Sequence, residues 1–176
     1  MTLEQARNAI VAGLEAHIGR PVRLSEQIED MPDYPYCYYS ILAPRISEHA
    51  FGLQELIEKD GEFIRRRSEP VMATMSFTFC SMNRETENGF VYGEDEALAL
   101  CEKGLGFFLL NGHNIRTEFG DVVVNNVGAA ANRTSFLVED SVRRYGFDIR
   151  ISFVRTDEMP TVTVERVNDP SGNAHS

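Results

Sequence analysis

Apolar positions recur along this chain at two periods, and the two periods divide it into helices and strands. Leu3, Ala6, Ile10, Leu14 and Ile18 repeat at helical spacing. Thr2 and Gln5 precede them as a T-x-x-Q capping box, which satisfies two otherwise orphaned amide donors. Gly19 and Pro21 close this first helix. A second helix is predicted from about Glu94 to Asn111. Glu94, Asp95 and Glu96 fill its first turn, where the helix dipole favours acids. Ala97, Cys101, Leu105 and Phe108 form its apolar stripe, with Leu98 and Leu109 beside it, and Gly112 ends it. Gly104 and Gly106 interrupt the pattern at about 1 kcal/mol each relative to alanine. A close neighbour at each would account for them.

Elsewhere the period is two. In Tyr145–Arg155, Phe147, Ile149, Ile151 and Phe153 alternate with Asp148, Arg150, Ser152 and Val154, which predicts a half-buried strand. In "EPVMATMSFTFCSMN", Val71, Ala73, Met75, Phe77 and Phe79 form one face, and Met72, Thr74, Ser76, Thr78 and Cys80 the other. The second face is small and semi-polar, as expected where a sheet meets a partner or water. Tyr34–Leu42 reads as an aromatic strand with Tyr36, Tyr38 and Ser40 on one side and Cys37, Tyr39 and Ile41 on the other. "VRLS" is a short strand, and "SEQIEDMPDYP" a loop. Between Pro44 and Arg67 a short helix and a strand both fit. The Asp60-Gly61 pair favours a hairpin arm with "EFIRRRSE" as its return. "RETENG" is expected to be a polar turn. Two short strands surround Phe119-Gly120, and "GAAANRTSFLVEDSV" is a break followed by a linker or bent strand. "DEMPT" is expected to turn the chain into a last strand, "TVTVERV". Strands in runs with segregated helices predict an α+β fold: a central, mainly antiparallel β-sheet flanked by the N-terminal helix and the second helix. Residues 1–167 form one domain in this reading, and 168–176 a flexible C-terminal tail.

Charge narrows the function. A formal net charge of −10 over 176 residues argues against a broad grip on nucleic acid, which needs clustered cations. The cations are fifteen arginines and two lysines, Lys59 and Lys103. Arginine's planar fork suits interface ion pairs, although a host bias toward arginine gives the same composition. No apolar run approaches the roughly 20 residues needed to cross a bilayer. The N-terminus lacks the apolar core of a signal peptide, so a cytoplasmic protein with no membrane partner is expected.

Candidate chemistry is sparse. His17, His49, His113 and His175 make no metal-binding spacing, and Cys37, Cys80 and Cys101 contain no CxxC. A nucleophile needs a base held beside it, so Cys80 or Cys101 with His113 is the one enzymatic alternative; packed thiols are the simpler reading. "KGLGFF" holds G-x-G inside a helical pattern and follows no strand, so it is no dinucleotide loop. The tyrosine-rich strand 34–42 is a conceivable ligand surface, but aromatic runs commonly pack in cores. "NRT" at Asn132–Thr134 matches a glycosylation acceptor without meaning for a cytoplasmic chain. Arg65, Arg66 and Arg67 form a basic triplet that reads as a phosphate contact or as a solvated strand start. Arg144, Asp148 and Arg150 share the polar face of the Tyr145–Arg155 strand if it extends back to Arg144. These six residues are the candidate subunit-interface positions, where exposed pairs would set geometry more than affinity.

Taken together, "PDYPYCYYSIL" after an N-terminal helix, "EPVMATMSFTFCSMN" running into "EALALCEKGLGFFLLNG", and then "NIRTEFGDVVV", "VRRYGFDIRISFVRT" and "VTVERV" resemble the neck (tail) terminator proteins of contractile-tailed bacteriophages over roughly residues 2–167. The resemblance implies a virion structural protein with no catalytic residues, cofactor or metal. It implies a sixfold homo-oligomeric ring on the finished tail tube, which stops polymerisation and meets the head connector, with tube and sheath proteins as further partners. The genome would pass through without specific binding, helped by an acidic bore. Assembly would take place in the host cytoplasm. Another phage connector or tail component is the nearest alternative.

Overall fold

A computed structural model of the protein describes residues 1–25, 32–47, 52–112, 114–135 and 141–161. Helix α1 spans Leu3–Ile18 and begins as its sequence requires: Thr2 Oγ1 accepts from the Gln5 amide, and Gln5 Oε1 accepts from the Thr2 amide. Gly19 ends it in the left-handed conformation, and Ala6, Ile10, Leu14 and Ile18 are buried. Strand β1 (Val22–Leu24) follows and runs parallel to β2 (Tyr36–Ser47). Every other pairing among the described residues is antiparallel.

The hairpin arm is present. Strand β3 (Leu53–Lys59) turns at Asp60-Gly61 into β4 (Glu62–Met82), and both turn residues have positive φ, 54° and 81°. That is the turn whose twist matches the flanking strands. "RETENG", expected as a turn, does turn at Glu87-Asn88, and the turn joins a small separate hairpin of β5 (Arg84–Thr86) and β6 (Gly89–Val91). Helix α2 covers Gly93–Asn111, then β7 (Ile115–Thr117) and β8 (Gly120–Val127) pair around Phe119. Within the expected linker lies β9 (Ala131–Asn132), and β10 covers Val142–Pro160. The sheet order is β1-β2-β4-β10-β8-β7, with β3 also on β4 and β9 on β10. The fold is α+β.

Two further expectations are corrected. The arm's return and the "EPVMATM…" strand are one strand of 21 residues. Pro70 does not break it: β2 stops pairing at Val71 and β3 starts at Ser68. Pro70 therefore falls in the interval between those two neighbours, where a missing ladder donor is tolerated. "DEMP" does not turn, because Asp157, Glu158 and Met159 continue β10 opposite Arg67, Arg66 and Arg65. Thr161 still follows that line, its amide donating to Phe63 O at 3.0 Å. The expected last strand beyond it, and the tail 168–176, lie outside the described residues.

Both helices pack on one face of the sheet. Phe77 and Phe147 sit opposite each other in β4 and β10, and Phe108 of α2 closes over them at ring distances of 5.2 and 5.8 Å. Each such side chain, fully buried, contributes about 1.5–3 kcal/mol. On α2 the buried stripe includes Leu100 and Phe107, whereas Leu98 and Leu109 are exposed.

Candidate functional site

Past the core, β3, the first part of β4 and the end of β10 form a three-stranded arm. Antiparallel partners share a face, which sorts its side chains. Gln54, Arg67 and Asp157 make one row; Leu56, Arg65 and Met159 the next; Glu58 and Phe63 a third toward the tip. This face continues the core-side surface of β4. On the reverse face, Arg66 is opposite both Glu55 and Glu158.

Much of the arm's charge is neutralised internally. Arg66 donates to Glu158 Oε1 through Nε and Nη2 at 3.0 and 2.9 Å, and Lys59 Nζ donates to Oε2 at 3.3 Å. Hydrogen bonds from Arg66 and Lys59 hold the Glu158 carboxyl below its ordinary value. At the arm's base Glu69 is 1% exposed, enclosed between Arg45 and Arg67. The hydrogen bond from Arg67 is the largest cause of its lowered pKa. Arg155 and Asp157 pair at 3.0 Å. The Arg65–Arg67 triplet therefore separates: Arg66 and Arg67 bind acids of their own chain, while Arg65 is exposed and makes no ion pair with a described residue. Around it Leu56, Met159 and Phe63 are 60, 56 and 52% exposed.

The other three candidates lie on the sheet face away from the helices. Arg150 is exposed, and Arg144 is half-buried near Cys80. Asp148 is joined to Arg133, which sequence reasoning missed. Arg133 lies across Gly146, where a Cβ would stand 3.0 Å from its Cδ and Cζ. From there its Nη1 donates to Ser76 Oγ at 2.6 Å and Thr78 Oγ1 at 3.0 Å, and its Nη2 to Asp148 Oδ1 at 2.7 Å. Burial pulls the Asp148 carboxyl up, but hydrogen bonds from Ser76 and Arg133 outweigh it and leave the pKa lowered. The available signal was a run of small hydroxyl side chains beside a glycine and an acid, a platform for one planar fork.

The thiols are poor nucleophiles. Burial pushes Cys80 up to about 12 and Cys101 up to about 11. Cys37 is also pushed well above its ordinary range. Cys80 packs with Tyr36 and Val142 in a cluster separate from the main core that holds Cys101. His113 lies outside the described residues. Among the described residues no group of His, Cys, Asp and Glu is placed to hold a metal, and no helix is long and apolar enough to cross a membrane.

The arm thus exposes an apolar face, and the cysteines of the sheet, Cys37 and Cys80, are buried. The family model described as phage neck terminator protein matches residues 2–176. The chain belongs to the phage neck terminator family. Among curated proteins none matches it. As a member of that family the protein has a structural role in the phage neck, in contact with other tail and head proteins.

Proposed function

We propose that this neck terminator caps the completed tail tube as a homo-oligomeric ring, six copies in number, stops tail polymerisation and forms the junction with the head connector. The observation that carries the reading is the arm: it extends beyond the core and exposes Leu56, Phe63 and Met159 on one face. Exposed apolar surface of this kind marks a contact with another protein. A closed ring needs two different patches on each copy, and an arm reaching away from the body supplies one. Residues 1–167 act as one unit in this reading, with no catalytic step or cofactor. The net charge of −10 suits a bore through which DNA slides without being gripped. Sheath and tube proteins are the partners on the tail side. The ring assembles in the host cytoplasm before heads and tails join.

Deletion of the gene tests the proposal. Tails without the protein should overgrow or fail to join heads, and negative-stain images of wild-type tails should show a ring at the tip. Normal tails and full infectivity in the deletion would overturn it. A ring found at the head portal and never on isolated tails would favour another connector component.

A further inference from the structure

We infer that the Arg65 face of the arm seats on the outer face of α2 of the next copy, with Gly106 as the recess that receives it. The inference rests on the ring reading and names its contact.

The first observation is a glycine without a reason inside its own chain. Two glycines interrupt α2. Gly104 is explained by Phe79, whose Cζ would lie 2.3 Å from a Cβ placed there. At Gly106 nothing lies within 4 Å of such a Cβ. The residue still carries the helix cost of a glycine, about 1 kcal/mol. It leaves a dent in the outer surface of α2, walled on neighbouring turns by Glu102, Leu109 and Leu110.

The second observation is the composition of that surface. Asp95, Leu98, Glu102 and Leu109 follow one another at spacings of three, four and seven, so they share a stripe. Leu109 and Leu110 are 60 and 77% exposed, and Leu98 is 37% exposed. Asp95 and Glu102 are exposed and pair with no described cation. The nearby cation Lys103 is turned away, donating to Ile18 O at 3.1 Å. The outer face of α2 is therefore apolar and acidic.

The arm face is its complement. It presents three exposed apolar side chains around Arg65, the one member of the triplet without an acid among the described residues. Gln54, Arg65, Arg67, Asp157, Glu158 and Met159 line a shallow groove beside it, so Arg65 stands at the edge of a groove walled mainly by polar residues. Arg65 meets Glu102 or Asp95, and an apolar side chain of the arm fills the recess at Gly106. Glu58, one row nearer the tip, and Asp157, one row nearer the core and paired with Arg67 and Arg155, are acids on the same face, so the pairing is local to Arg65 and not a general attraction of opposite charges. Nucleic acid is a poor occupant, because the remaining arm arginines are held by carboxylates. The two patches differ and lie on different elements, which is the requirement for a head-to-tail ring.

The test uses the full-length protein with and without its tail tubes, with mass measured by native mass spectrometry and rings counted by negative stain. Arg65→Glu and Glu102→Arg are each expected to lower ring assembly at least tenfold, and the double reversal to restore most of it. Gly106→Trp is expected to block assembly with the circular dichroism spectrum and melting temperature retained. Wild-type assembly by both single reversals and by Gly106→Trp would overturn the contact and leave the ring reading standing. Failure of the wild-type protein to associate with itself, alone or on tubes, would overturn the ring reading and this contact together.

Discussion

Gly104 of α2 lies directly on the ring of Phe79 in β4, so close that a single methyl group would stand 2.3 Å from Phe79 Cζ. Helix propensity and packing pull in opposite directions here. Gly104→Ala gains about 1 kcal/mol of propensity but forces a buried ring to move, and overpacking of that kind costs about 1–3 kcal/mol, occasionally more. Packing is expected to win, lowering the urea midpoint. Gly106→Ala meets no neighbour within the chain. It is expected to stabilise the isolated protein by up to about 1 kcal/mol. The same measurement on both variants separates the two glycines.

Arg133 staples the sheet face away from the helices. Arg133→Ala removes the donors to Ser76, Thr78 and Asp148, and leaves two nearly enclosed hydroxyls to find new partners. The expected loss in equilibrium unfolding is about 1–3 kcal/mol. Arg133→Lys should recover only part of it, since a point ammonium cannot span the three acceptors that a planar fork reaches.

Glu96 predicts a pH dependence. Hydrogen bonding from Arg84 is the largest cause of its depressed pKa, opposed by burial and helped by Ser81. A folded-state pKa below the ordinary 4.5 means the contribution to stability is fully present above 4.5 and is lost as pH falls through the folded value. Glu96→Gln should therefore be less stable than wild type near pH 7. The gap should narrow as the medium is acidified below about pH 4.5. Denaturation midpoints followed across that range check the sign; a gap that widens on acidification would contradict it.

The cysteines predict silence. With Cys80 at about 12, Cys101 at about 11 and Cys37 also pushed up, the thiolate fraction near pH 8 is negligible. Iodoacetamide should leave all three unmodified in the native protein and label all three in urea. Selective native labelling of Cys80 or Cys101 would restore the Cys–His alternative.

Local signals were legible wherever the chemistry is local. The T-x-x-Q box, the Gly19 cap and the Asp60-Gly61 turn each depend on neighbouring residues alone, and each is found where its motif lies. The alternation of Phe147 to Phe153 was legible because one face is wholly buried. Strand length was not. Pro70 and the Asp157–Pro160 run look like breaks until their partners are known, and partners distant in sequence leave no local trace. The stripe of α2 was legible, with Ala97, Cys101 and Phe108 buried, but its flank was not: leucines lie on both sides of it, so periodicity could not tell the buried Leu100 from the exposed Leu98 and Leu109. Arg133, between a two-residue strand and an undescribed stretch, had no period to reveal it.

Strands β4 and β10 stay in one register from Val142↔Met82 to Pro160↔Ile64 without a bulge. Nineteen residues of β10 therefore run from the core to the arm's end as one rod, roughly 60 Å long at the usual rise of a strand. Its ladder with β4 carries no register break along that length. The number of residues between the packed phenylalanines and any point on the arm is therefore fixed by that register. Removing two facing residues from each strand would shorten that span by about 7 Å while keeping every side chain on its own side.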